Sequence, residues 1–231
     1  MKLRRLREEV LEANLELVRR GLVLYTFGNA SGIARDEGLV VIKPSGVAYN
    51  TMTPDDLVIV DLLGNVVEGS LRPSSDLPTH LILYNAFPSL GGVAHTHSRA
   101  ATSWAQAGRE IPCFGTTHAD YFHGCVPVTK PLTPVQIRSD YETNTGLAIL
   151  RRLAKQDPLH VPGVLVANHA PFCWGETPAA AAHNAVVLEE IAAIALQTLI
   201  ANPKARPISK PLQEKHFFRK HGSSAYYGQK R

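Results

Sequence analysis

The chain has 231 residues, 45% of them hydrophobic and 19% charged, an ordinary globular balance with length for one α/β domain and a full core. Its net charge of +4 and isoelectric point near 9.0 come largely from the two ends, MKLRRLR and EKHFFRKHG. So mild an excess, without a zinc-finger spacing or an aromatic-interleaved basic stripe, reads as solvated surface and argues against nucleic acid or a lipid surface as partner.

Residues 3–20 carry Leu3, Leu6, Val10, Ala13 and Leu17 at helical spacing, with Gly21 placed to end the helix. The period then changes. LVLYT (22–26), LVVIK (39–43) and LVIVD (57–61) are apolar, β-branched runs that predict strands, and Gly64-Asn65 predicts a hairpin turn. A helix is expected from Pro78 to Phe87, then a strand in GGVAHTH and a helix with Ser98 as N-cap. Residues 111–131 read as strand and loop. Thr133-Pro134 predicts one helix running towards Lys155, and VPGVLVA predicts another strand. Thr177-Pro178 starts a long helix reaching about Asn202, apolar on most faces and expected to be central. It is the longest apolar run, but His183, Asn184, Glu189, Glu190 and Gln197 interrupt it, which argues against a membrane span. PKARPISKP reads as an extended linker before the tail. The expected architecture is α/β, with a central, largely antiparallel sheet and helices on both sides. The expected domain is single, residues 1–231, with a tail at 203–231. The N-terminus has no apolar leader, and Cys113, Cys125 and Cys173 show neither ligand nor redox spacing, so reduced thiols in a cytoplasmic protein are expected.

The chemistry begins at GGVAHTHSRA. Side chains two apart on a strand share a face, so His95 and His97 point the same way and can hold two positions of one metal ion. His169 follows a strand and Asp76 precedes a helix; three imidazoles and a carboxylate make a donor set suited to zinc, with Mn, Co or Ni also permitted. Spacing alone does not bring the four together.

The motifs GNASG, VIKPSGV, PSSDLPTH, AHTHSRAATSWAQAG, GTTHADYFHG, PFCWG and KHGSSAYYGQ occur in order from the first helix to the tail. In them the chain resembles the class II aldolase family, which also includes adducin, and within it most closely the sugar-phosphate epimerase branch. The resemblance implies that Asp76, His95, His97 and His169 converge on a divalent metal, with Zn2+ expected. It implies that Gly28, Asn29, Ser45, Gly46, Ser74 and Ser75 border the substrate phosphate, with Lys43 close by. Asp120 and Tyr227 are the implied acid/base pair. His216 is an implied active-site residue reaching a neighbouring subunit, and Thr116 and Glu142 line or support the site. The basic pair Arg219 and Lys220 reads as tail solvation. The implied partners are a phosphorylated ketopentose and further copies of the chain, as a homotetramer with active sites at subunit interfaces. One departure is Ala170, where the family pattern leads us to expect glycine beside the histidine.

The implied activity is interconversion of L-ribulose 5-phosphate and D-xylulose 5-phosphate. C4 is beta to the carbonyl, so its C–H is not acidic, and inversion requires breaking and re-forming the C3–C4 bond. A class II sugar-phosphate aldolase of the fuculose or rhamnulose type is the alternative; such members carry glutamate where this chain has Asp76. A non-catalytic, adducin-like domain is a remoter one, since such members lack the metal ligands. A purely structural zinc site is disfavoured by the absence of thiolate ligands. An arabinose, ascorbate or other pentose or gulonate pathway is left open.

Overall fold

The computed structural model describes residues 2–222 and 225–227, so part of the tail motif KHGSSAYYGQ (Ser223, Ser224, Gly228 and Gln229) lies outside the described residues. One seven-stranded antiparallel sheet organises the chain, in the order β4-β3-β2-β1-β5-β7-β6. Its strands are β1 (Gly28–Ala34), β2 (Leu39–Ile42), β3 (Val58–Asp61), β4 (Val66–Glu68), β5 (Gly92–Thr96), β6 (Gly163–Leu165) and β7 (Pro171–Gly175). The helices are α1 (Arg4–Arg19), α2 (Leu77–Ala86), α3 (Arg99–Gln106), α4 (Thr116–Ala119), α5 (Pro134–Ser139), α6 (Tyr141–Leu153), α7 (Pro178–Ala201) and α8 (Lys210–Lys220).

Alternation across β1 and β5 sorts the helices into two layers. Asn29 pairs with His95 and Ser31 with Val93, and this face looks at α2: the Ser31 hydroxyl lies 2.7 Å from Nδ1 of His80 and 2.8 Å from the Tyr84 hydroxyl. The opposite face presents Gly32 and Gly92 to α1 and α7. A methyl group on Gly92 would sit 2.5 Å from the backbone of Pro178, so only glycine lets α7 lie so close to the sheet. The core is continuous, with Val40, Val41, Ile42, Val58, Ile59, Val60, Phe172 and Trp174 fully enclosed.

Several local expectations need correction. The run 22–26 is not a strand. Leu22 N–H closes onto Leu17 O at the end of α1, and Tyr25 takes a left-handed φ of 52°, which breaks extended pairing. The strand lies instead in GNASGIA, whose small residues hide its apolar signal. The single helix expected from Thr133 to Lys155 is two, α5 and α6. Asp140 adopts a non-helical conformation between them, and its carboxylate accepts from Thr143 N–H to cap α6. Residues 111–131 contain the short helix α4. Ser98 stands at the N-cap of α3 without a side-chain bond; Glu189 of α7 accepts from Ala100 and Ala101 N–H in its place. α7 is long and apolar enough to pass as a membrane span by composition. It packs one side on β5, β7, α1 and α3 but leaves Ile194 and Ile200 exposed, so it is less enclosed than expected.

Candidate metal centre and phosphate cavity

β5 delivers His95 and His97 to the α2 face at one end of the sheet, and the β6–β7 loop delivers His169. One ring nitrogen from each lies within 4.8 Å of the others. Nε2 of His95 and Nε2 of His97 are 3.1 Å apart, near the roughly 3.3 Å that separates two nitrogens bound tetrahedrally to one zinc ion. Nδ1 of His95 donates to Pro171 O at 2.9 Å, which leaves its Nε2 with the lone pair. Phe172, next in sequence, stacks on the His95 ring at 4.1 Å between centroids. Burial, reinforced by the neighbouring imidazoles, pushes the His169 pKa down to about 4 and also lowers that of His97. Neutral nitrogens with free lone pairs are what a first-row cation takes, so the cluster fits a divalent metal.

Asp76 stands at the start of α2, beside the triad rather than among the three atoms that define it. Burial acts to raise its pKa, but His95, His80, the Asn29 amide and His169 outweigh that, and it stays below the usual carboxylate range. Asn29 Nδ2 donates to Asp76 Oδ2 at 2.7 Å. The loop carrying His169 makes its turn at Asn168, whose φ is 60°, with His169 N–H on Val166 O and Val166 N–H on Ala170 O. The left-handed residue is Asn168, so Ala170 needs no glycine in its place.

Next to Asp76 is a cavity of about 260 Å³, lined by Gly28, Asn29, Lys43, Ser45, Gly46, Ser74, Ser75 and Asp76 among others. Two bonds between loops create it. Ser45 N–H donates to Arg72 O and Ser74 N–H to Lys43 O, tying the segment after β2 to the segment before α2. Those two amides are thereby used, so an anion would meet the serine hydroxyls instead. Lys43 is 2% exposed; it donates to Pro44 O and Val47 O and lies 4.7 Å over the Tyr49 ring. An ammonium has three protons, so one remains for an incoming anion. Gly28, at φ 141°, brings the cavity against β5: a methyl there would lie 2.7 Å from His95 O.

The remaining residues divide into two places. Glu142 follows Tyr141 in the first turn of α6, and its carbonyl accepts from Thr79, which ties α6 to α2. Asp120, Thr116, His216 and Tyr227 gather elsewhere. Thr116 begins α4 and Asp120 ends it. Tyr121 packs on His183 of α7, 5.6 Å between ring centroids, which puts this group beside α7, whereas the imidazoles lie on the α2 face. His216 Nδ1 lies 3.0 Å from Asp120 Oδ1, and Arg219 donates to both oxygens at 3.0 and 2.8 Å. Tyr227 N–H donates to Arg219 O at 2.9 Å.

Four contributors escaped the sequence reading: Tyr141, Phe172, His80 and Arg219. Only Arg219 left a trace, since His216 and Arg219 are three apart and share a helix face.

Residues 8–196 match the family model for the Class II Aldolase and Adducin N-terminal domain. The chain belongs to this family. Among its curated relatives, L-ribulose-5-phosphate 4-epimerase UlaF of Salmonella paratyphi C is 55% identical over 228 residues, covering 99% of this chain and 100% of that protein. The protein of that name from Salmonella typhi is equally similar, 55% identical with the same coverage. Among solved structures, an L-fuculose 1-phosphate aldolase superposes with a TM-score of 0.79 at 25% identity, over 93% of this chain and 95% of that one. YgbL from Klebsiella pneumoniae, described as a putative aldolase/epimerase/decarboxylase, gives 0.74 at 26% identity over 93% and 99%. Membership in this family implies a divalent metal, which the imidazole cluster is built to take.

Proposed function

We propose that this chain is an L-ribulose-5-phosphate 4-epimerase, interconverting L-ribulose 5-phosphate and D-xylulose 5-phosphate by cleaving and re-forming C3–C4. The observation that carries the reading is the adjacency of two sites: three clustered imidazoles beside a carboxylate, and next to them a polar cavity with a buried lysine. The full-length similarity to curated 4-epimerases supports the epimerase over the aldolase. The aspartate at position 76 supports it too.

His95, His97 and His169, with Asp76, would hold the ion, and an N3O donor set favours Zn2+. When bound, the ion supplies Lewis-acid stabilisation of the negative charge left on the three-carbon fragment. The chain does the rest. Lys43 and the hydroxyls of Ser45, Ser74 and Ser75 grip the phosphate, with Gly28, Asn29 and Gly46 shaping the wall around it. The two-carbon aldehyde stays tethered by that phosphate while it turns its opposite face to the fragment. Asp120 and Tyr227 exchange the C4 hydroxyl proton, one on each face. Thr116, Glu142 and His216 flank these groups.

In a single chain Asp120 lies with α7 and the imidazoles lie with α2. That separation supports an assembly, a homotetramer by resemblance, in which the tail at 203–231 of one copy completes the site of a neighbour. The protein is expected to work in the cytoplasm. Incubation with L-ribulose 5-phosphate distinguishes the readings: an epimerase accumulates D-xylulose 5-phosphate, whereas an aldolase releases dihydroxyacetone and glycolaldehyde phosphate.

A further inference from the structure

Arg219 sits between the two groups assigned to proton transfer and touches both. Its guanidinium makes a forked bond to Asp120, Nε to Oδ1 at 3.0 Å and Nη2 to Oδ2 at 2.8 Å. Its carbonyl oxygen accepts from both Tyr226 N–H and Tyr227 N–H at 2.9 Å. The same guanidinium lies 4.8 Å over the Tyr227 ring. One residue therefore fixes the carboxylate through its side chain and the phenol through its main chain and its stacking. Charge at the ends of the tail has no need of such geometry; holding a long arginine side chain in one conformation costs rotamer entropy that these contacts must outweigh.

We infer that Arg219 is a positioning residue that joins Asp120 and Tyr227 into one acid/base unit, presenting the carboxylate as an oriented, ionised acceptor. The inference rests on the reading of Asp120 and Tyr227 as the proton-transfer pair. The fork occupies one lone pair on each Asp120 oxygen, in the bidentate geometry that only arginine offers. His216 takes a further site on Oδ1 at 3.0 Å, Lys220 Nζ lies 3.5 Å from Oδ2, and His221 Nε2 reaches the Asp120 carbonyl oxygen at 2.9 Å. Among the described residues, these are the titratable and charged groups around the carboxylate, together with the Tyr227 ring against Arg219 and Lys220 and the Tyr121 ring against Lys220. Burial alone would raise the Asp120 pKa, but Arg219, His216 and Lys220 hold it below the ordinary range.

The test compares Arg219→Gln, Arg219→Lys and Asp120→Asn, each checked for metal content and melting temperature, in a steady-state epimerase assay across pH. Arg219→Gln is expected to lower kcat roughly 10- to 100-fold with KM changed less than about threefold, the size of a misplaced general base. Its acidic limb in kcat/KM should move up by about one pH unit as the cation beside Asp120 is lost. Arg219→Lys, which keeps charge without the fork, should restore the limb but not the rate. On top of Asp120→Asn, Arg219→Gln should cost far less than it does alone, because most of its effect passes through that carboxylate. Wild-type kcat and pH profile in Arg219→Gln, with Asp120→Asn inactive, would overturn the inference and leave the acid/base reading intact. Full activity in Asp120→Asn would overturn that reading itself.

Discussion

The hydroxyl of Tyr141 lies 3.2 Å from Nδ1 of His169. A ligand histidine needs its second nitrogen engaged, both to fix the tautomer and to hold the ring plane. Tyr141→Phe removes that partner and little else. Metal affinity should fall roughly 10- to 100-fold, and activity should return when metal is supplied in excess. Competition with a metal-binding dye, followed by an activity titration, checks both parts.

His97→Asn strikes the cluster itself. His97 is the exposed member of the triad, so the fold should survive; bound metal and activity should disappear together. Elemental analysis beside the assay tests this, and full turnover in metal-free protein would contradict it.

Lys43 gives the pH dependence a definite sign. Burial lowers its pKa to about 8, so the free protein loses this positive charge as pH rises through that value. Binding of a phosphate dianion favours the charged form and raises the pKa in the complex. kcat/KM should therefore fall above about pH 8, while kcat holds to higher pH. Lys43→Met should remove the alkaline limb and raise KM.

How much of this was legible in the chain depended on whether the signal was local. His95 and His97, near the end of β5 and one residue past it, announce themselves by their spacing; the capping threonine before α7 does the same, accepting from Ala180 N–H as its position implies. β1 did not, because GNASGIA is chosen for closeness to α1, α7 and the polar cavity beside Asp76, and small residues carry no β signature. The break at Asp140 was hidden by a helical pattern on both sides. Tyr141 and Phe172 matter only through residues distant in sequence, which no spacing encodes. Arg219 was misread for the same reason: its charge is visible, but its fork onto Asp120, 99 positions away, is not.

The layer separation of Asp120 and the imidazoles predicts complementation. Tyr227→Phe should keep metal and fold and lose about 100-fold or more in rate. Mixing unfolded Tyr227→Phe and His97→Asn chains and refolding them together should yield activity that neither variant has alone, since some sites would combine intact halves. If each chain carried a whole site, the mixture would stay as inactive as its parts.

The central claim is that a metal held by these imidazoles is required to invert C4 of a ketopentose phosphate. The direct measurement follows conversion of L-ribulose 5-phosphate to D-xylulose 5-phosphate before chelation, after it, and after zinc is restored. The account predicts turnover, its loss, and its return; D-xylulose 5-phosphate formed at an undiminished rate by the chelated protein would contradict it.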